Sequence, residues 1–252
     1  MKKKSTIAAA ACILAVLAFA FWYGGNAPGL RGWTVQPVRP SDASSEAEEK
    51  VRAAAQIAER SASSVQTAEA GDAAYSESQG MVIDPDTGKD RYLTDPVPEG
   101  KPLPVEPQDA EISDVEHTCT ISISCAAILD RMEWLDAEKV ELVPEDGWIL
   151  KPVSIPFYEG ESVFHVLQRV CKQNRIHMEF ENTPLYNSAY IEGIHNLYEF
   201  DCGELSGWMY QVNGWFPNYG CSRYALQDGD VIEWVYTCDL GVDVGGFYAT
   251  GG

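Results

Sequence analysis

The stretch from Gly207 to Thr237, GWMYQVNGWFPNYGCSRYALQDGDVIEWVYT, decides how this chain folds. It sets an Asn213-Gly214 turn and an Asp228-Gly229-Asp230 turn between strand-like runs, and so reads as a hairpin that returns into a final strand. Three of the seven tryptophans and four tyrosines lie within it. Rigid aromatics gathered on a turn suit a flat, weakly polar ligand or a partner surface; the same rings also serve to fill the core of a small β-rich domain. Binding, not catalysis, is the activity this pattern predicts.

Upstream, Thr118 to Cys125 alternates, with Cys119, Ile121, Ile123 and Cys125 on one face and Thr120, Ser122 and Ser124 on the other, which predicts a first strand. Val153 to Tyr158 offers a second, ending at Glu159-Gly160. The convincing helix follows between Glu161 and Asn174. There Val163, Phe164, Val166, Leu167, Val170 and Cys171 recur at helical spacing opposite Gln168, Arg169, Lys172 and Gln173. Further strands are expected over Ile176 to Phe180, Ala189 to Ile194, Gly207 to Val212 and Val231 to Cys238. Strand, strand, helix and more strands predict an α+β fold, a β-grasp-like mixed sheet holding one main helix.

Nothing before this unit shows a hydrophobic stripe. Lys2, Lys3 and Lys4 precede an uncharged run from Ser5 to Tyr23 that closes on Phe21, Trp22 and Tyr23, so residues 1–25 read as a signal anchor or transmembrane segment. Ala18-Phe19-Ala20 also fits a cleavage site. The expectation is a retained single-pass anchor in the cell membrane with the C-terminal domain extracytoplasmic. Residues 26–116, rich in Ser, Ala, Glu, Asp and Pro, are expected to be a disordered linker. Five prolines between residues 95 and 107 favour an extended polyproline II stalk within it. The folded domain is expected over 117–245, and a flexible tail over 246–252.

Residues 1–40 hold five bases and no acids, and the remainder holds all 38 acids against 13 bases. Such a field repels phosphate backbones and excludes nucleic acid as a partner. Asp84-Pro85-Asp86-Thr87-Gly88 has only a fragment of calcium-loop spacing and reads as a turn, so no metal site is expected.

The segments SISCAAIL (122–129), ELVPEDG (141–147), YIEGIHNLYEFDCG (190–203), SGWMYQVNGWFPNYGCS (206–222) and DGDVIEWVYTCD (228–239) resemble the transcobalamin C-terminal-like domain of bacterial surface proteins, over roughly residues 117–245. In the animal vitamin B12 carriers the corresponding domain closes over one side of a corrinoid whose other side rests on a helical barrel. No barrel sequence is found here. Together with the anchor read above, the resemblance implies a membrane-tethered ligand-binding module that needs no cofactor and takes a corrinoid such as cobalamin as ligand. A protein-interaction or cell-surface spacing module is the other reading, with a second surface protein as partner. The ligand contacts it implies are Trp208, Tyr210, Trp215, Phe216, Asn218 and Tyr219. Alternation sets Trp208, Tyr210 and Val212 against Met209 and Gln211, and Trp215, Phe216 and Tyr219 are expected to be exposed at the tip.

Six cysteines lie beyond the anchor, an even number that favours disulfides in an exported domain. In a β-grasp, Cys125 and Cys238 end neighbouring strands, and Cys202 with Cys221 would staple the hairpin base; Cys171 reads as a reduced core thiol, and a zinc site is the alternative. A Cys221 or Cys202 nucleophile beside His195 lacks any surrounding signature, His117, His165 and His177 read as surface or packed, and Asp228 and Asp230 read as turn formers. No catalytic residues are expected.

Overall fold

The computed structural model of the protein describes residues 71–246. At its centre lies β1 (Glu116–Ser124), where the alternating Cys119, Ile121 and Ile123 are all buried. β1 pairs antiparallel with β2 (Trp148–Tyr158) and parallel with β7 (Val231–Thr237), and β7 pairs antiparallel with β6 (Gly207–Val212). The order β2-β1-β7-β6 sets the first and last strands side by side, the expected β-grasp-like arrangement. β2 carries Pro152 and Pro156 because it is an edge strand, and a register shift between Ile121 and Ile123 falls opposite Lys151-Pro152.

Two short helices, α1 (Ala73–Ser78) and α2 (Ala126–Leu129), precede the main one, α3 (Val163–Asn174). Its apolar stripe, Val163, Val166, Leu167, Val170 and Cys171, is buried in one cluster with Ile121, Ile123, Ile232 and Trp234 of the sheet. The start is a capping box: the Ser162 N–H donates to His165 Nδ1 at 3.0 Å, so His165 serves the helix terminus. Arg175 stops the helix in the left-handed region at φ 57°.

β3 (Met178–Thr183), β4 (Ser188–Ile194) and β5 (Leu197–Tyr198) form a separate three-stranded sheet, where the sequence predicts one mixed sheet. The hairpin pairs within itself, and β4 lies beside β6 without sharing a ladder. A second cluster joins Cys125, Ile128, Leu197, Cys202, Tyr236 and Cys238 farther along the main sheet.

The expected disordered linker is corrected over residues 71–116, which lie against the domain. Val97 is fully buried, and Tyr75 and Leu103 pack on the main core cluster. The Val105 N–H donates to the Arg223 carbonyl at 2.8 Å, and the Ser113 N–H to the Glu159 carbonyl at 2.9 Å. A segment with no stripe of its own is ordered because its few apolar residues each meet a surface built elsewhere in the chain. The expected anchor and the linker up to residue 70 lie outside the described residues, as does the expected tail except Gly246. No helix among the described residues is long and apolar enough to cross a membrane.

One ion pair anchors α3 to the β2 turn. Arg169 donates to both Glu161 oxygens, at 2.6 and 2.9 Å, while Glu161 Oε2 accepts the Tyr158 N–H at 2.9 Å. Burial works to raise the Glu161 carboxyl, but the guanidinium and the Tyr158 N–H outweigh it, leaving the group below its ordinary range. The depressed carboxyl makes its contribution fully above the unfolded value of about 4.3 and loses it as pH falls through the folded one. Glu161→Gln should cost about 2 kcal/mol at pH 7 and flatten the acid limb of stability against pH. Urea midpoints of the two proteins at pH 7 and pH 4 check this, and an unchanged acid limb would refute it.

Candidate functional site

β6 ends in the Asn213-Gly214 turn, whose residues take φ values of 53° and 74°. Both lie in the left-handed region that a two-residue hairpin needs and that Asn and Gly tolerate. Val212 and Trp215 exchange backbone hydrogen bonds across it, at 2.8 and 3.0 Å. Phe216-Pro217 then leaves the ladder, and β7 takes the place beside β6. Asp230 Oδ1 accepts from Asn213 Nδ2, Asp230 Oδ2 from the Gln227 N–H, and Asp228 Oδ1 from the Thr118 N–H, so both carboxylates hold turns together as the sequence predicts.

The aromatic tip does not stand out in solvent. Phe216 and Tyr219 are buried, at 4% and 7% exposure, and this corrects the expectation that they form an outward surface. Phe216 lies with Met209 under the chain at Gly246, so close that a Cβ on Gly246 would come within 2.8 Å of the ring. The Tyr219 hydroxyl donates to the Pro102 carbonyl at 2.6 Å, and Asn218 Nδ2 donates to the Asp95 and Pro96 carbonyls at 3.0 and 3.3 Å. The surface these residues recognise is the chain's own Pro-rich segment. Trp215 is half-buried, with Lys101 Nζ 5.5 Å from its ring centroid. Tyr210 is buried and donates to the Tyr219 carbonyl at 2.7 Å; Trp208 is half-buried, its Nε1 donating to the Leu197 carbonyl at 2.8 Å.

Four of the six expected site residues, Trp208, Tyr210, Asn218 and Tyr219, do line one cleft of 580 Å³. Trp215 and Phe216 do not. Its other walls come from residues 89–95, the β3–β4 hairpin, the 217–223 loop and Trp234. Tyr186 and Tyr190, both about half exposed, belong to its lining as well. Sequence reading missed the walls from residues 89–95 and the β3–β4 hairpin because both lie far from the ribbon in sequence and carry no local pattern that would tie them to it. The Tyr190 hydroxyl bonds to Glu199, and burial of Tyr210 and Tyr219 pushes their phenols well above the ordinary range, so these rings stay neutral at physiological pH.

Each cation on the lining carries an acid partner. Lys89 Nζ lies 3.1 Å from Asp95 Oδ2, and Arg223 Nη2 lies 2.8 Å from Asp90 Oδ2 and 3.1 Å from Glu106 Oε1. The cleft therefore holds no free cation to attract an anion. Three buried side-chain atoms among the described residues have no hydrogen-bond partner: Asn218 Oδ1, Arg223 Nε and Trp234 Nε1. All three belong to residues that line this cleft. Buried polar atoms left unpaired cost about 1–3 kcal/mol each.

No group of His, Cys, Asp and Glu among the described residues is placed to hold a metal ion. Cys221 donates to the Ala189 carbonyl at 3.6 Å, and burial pushes its thiol up to about 12, the reverse of an activated nucleophile. His117 stands 3.9 Å from Asp228 and His177 3.6 Å from Glu179, both as partly exposed pairs.

The model of a domain of unknown function, DUF4430, matches residues 160–238, which include α3, the second sheet and the aromatic ribbon. No curated protein matches the chain. Among solved structures, haptocorrin in complex with Cbi is 15% identical with a TM-score of 0.37, over 51% of this chain and 26% of that one. A Ruminococcus gnavus protein named for a supposed metal-binding activity is 14% identical with a TM-score of 0.30, over 48% of this chain and 96% of that one. This chain thus spans about a quarter of the haptocorrin chain and nearly all of the Ruminococcus gnavus protein.

Proposed function

We propose that this domain is a non-enzymatic binding module that takes a neutral small molecule in the cleft between the two sheets, and that the N-terminal run tethers it at the extracytoplasmic face of a membrane. The carrying observation is the coincidence of aromatic walls and paired charges around one cleft of 580 Å³. That volume falls within the range of about 300–1,000 Å³ typical of small-molecule sites. Neutral polar side chains on the walls, among them Asn218, Ser188 and Tyr186, match a ligand that carries both acceptors and donors, such as a primary amide. Corrinoids bear several such amides around a flat ring, and the resemblance of the aromatic ribbon to the corrinoid carriers makes them the first class to test. A cleft of this size would enclose one edge of the macrocycle, and a further subunit would be needed to cover the rest.

Titrating the full chain with cobinamide while following tryptophan fluorescence tests this, because Trp208 and Trp234 line the cleft. Quenching that saturates in the micromolar range is expected. Tyr186→Ala, at an exposed wall position, should weaken binding about fivefold with no change in thermal midpoint, the value of one aromatic contact. No response at high micromolar cobinamide would reject the corrinoid assignment.

The exposed Leu185, Tyr186 and Tyr190 on the β3–β4 hairpin favour a second reading, in which this rim meets another surface protein. Capture of one partner that depends on Tyr186 and Tyr190, with no small-molecule response, would support it. Fractionation of cells that make the full chain, with protease added outside, tests the tether.

A further inference from the structure

Of the fifteen ways to pair the six cysteines beyond the N-terminal run, the structure singles out one that spacing did not suggest. Cys202 lies in the turn between β5 and β6, and Cys238 follows directly on β7. Their Sγ atoms are 3.4 Å apart. A disulfide needs about 2.05 Å, so closure asks for side-chain adjustment, not for any change in the elements that carry them. Both residues are buried, at 0% and 2% exposure, in the cluster around Tyr236. The Cys238 N–H donates to Asp243 Oδ2 at 2.9 Å and the Cys202 thiol reaches the Arg131 carbonyl at 3.7 Å.

The pairings expected from the sequence fare differently. Cys221 belongs to the main core cluster, with its thiol on the Ala189 carbonyl, while Cys202 belongs to the other cluster, so the pair expected at the hairpin base is not brought together. Cys125 shares the cluster of Cys238, but it is the Cys202 sulfur that meets Cys238. Cys119 and Cys171 lie in the main cluster.

We propose that Cys202 and Cys238 form a disulfide that closes the base of the β6–β7 ribbon. The oxidant is a disulfide, either of glutathione or of a thiol oxidoreductase. One cysteine, as its thiolate, attacks that disulfide and expels a thiolate; the second then attacks the mixed disulfide and expels the other. Two S–H bonds break, one S–S bond forms between the cysteines, and the oxidant leaves as two thiols carrying the two protons. The closed loop contains β6, the Asn213-Gly214 turn and β7, so the bond ties together the strands that supply Trp208, Tyr210 and Trp234 to the cleft. Burial, the main cause, holds both thiols above their ordinary range, so neither acts as an exposed reactive nucleophile once the fold is complete.

The test uses the full chain reduced in denaturant and refolded in a glutathione redox buffer, so that the thiols are reachable while the fold forms, then quenched in acid, alkylated under denaturing conditions and digested without reduction. Mass spectrometry is expected to find one cross-linked pair of peptides joining Cys202 to Cys238, lighter by two hydrogens, with Cys119, Cys125, Cys171 and Cys221 alkylated. Adding reductant should lower the thermal midpoint by about 8 °C, and the Cys202→Ala/Cys238→Ala double variant should show no response to reductant. Cys125→Ser should keep the cross-link. A link through Cys125 or Cys221, or complete alkylation of all six cysteines beyond the N-terminal run in oxidised glutathione, would overturn the proposal. Because no ligand enters the measurement, a failure here leaves the reading of the cleft standing, and a failed titration leaves this pairing standing.

Discussion

A fragment that begins at residue 117 is expected to unfold at clearly lower urea concentration than one that begins at residue 71, with a loss of about 4 kcal/mol. Composition alone would predict no difference, since residues 71–116 read as a spacer. Three side chains set the magnitude. Val97 is fully buried, and Tyr75 and Leu103 pack on the core cluster. Complete burial of one such side chain contributes about 1.5–3 kcal/mol, and the backbone entropy of holding the segment offsets part of the sum. Several directed hydrogen bonds add to it, from Asn218, Tyr219 and the Val105 N–H. Removing the segment also strips the outer cover from Tyr219 and Arg223, so the shorter fragment should bind a hydrophobic dye that the longer one does not. Equal urea midpoints, with equal dye binding, would show that the segment merely rests on the domain.

What the sequence makes legible, and what it conceals, follows from the range of the interactions. The α3 stripe and the β1 alternation are periodic, so a window of a dozen residues reveals both the element and its buried face. The turn at Asn213-Gly214 is equally local, because positive φ at two successive positions demands those residue types. The second sheet is harder to foresee. β3 keeps most of its residues exposed and so has no alternating stripe to set its partner. Val97 is a lone valine between prolines, and no period can be read from a single residue, yet it is among the most deeply buried side chains. The cleft assembles walls from residue 89 to residue 234, so only the ribbon portion of it was visible in advance. Aromatic density marks the ribbon, but not which of its rings face the cleft. Trp208 and Tyr210 on the strand reach the cleft, whereas Phe216 at the tip packs against Gly246. Cys202 and Cys238 meet because a turn and a strand end converge, which depends on tertiary geometry that no spacing encodes.

The second large effect concerns Arg223, whose replacement by methionine is expected to cost about 3–5 kcal/mol. This side chain is 1% exposed and joins the 217–223 loop to the segment before β1 through three groups at once. Nη1 donates to Thr94 Oγ1 at 2.6 Å, and Nη2 donates to Asp90 Oδ2 at 2.8 Å and to Glu106 Oε1 at 3.1 Å. The Tyr92 ring lies against the guanidinium, 5.0 Å from its carbon. Methionine fills a similar volume and leaves the Asp90 carboxylate buried without a counter-charge, although it still accepts the Tyr92 and Thr94 N–H groups at 2.8 Å. Breaking one side of a buried pair is costly for that reason, more than for the attraction lost. Asp90→Asn should therefore recover part of the deficit when combined with Arg223→Met, and the double variant should be more stable than Arg223→Met alone. Lysine is a poor substitute, because a single ammonium cannot reproduce a planar fork that meets Thr94, Asp90 and Glu106 together. Urea unfolding of the four proteins measures the coupling, and limited proteolysis should cut Arg223→Met first between residues 85 and 105, where the segment loses its hold. If Arg223→Met lies within about 1 kcal/mol of the parent, the charge is not the fastener and the segment is held by Val97 and its apolar neighbours instead.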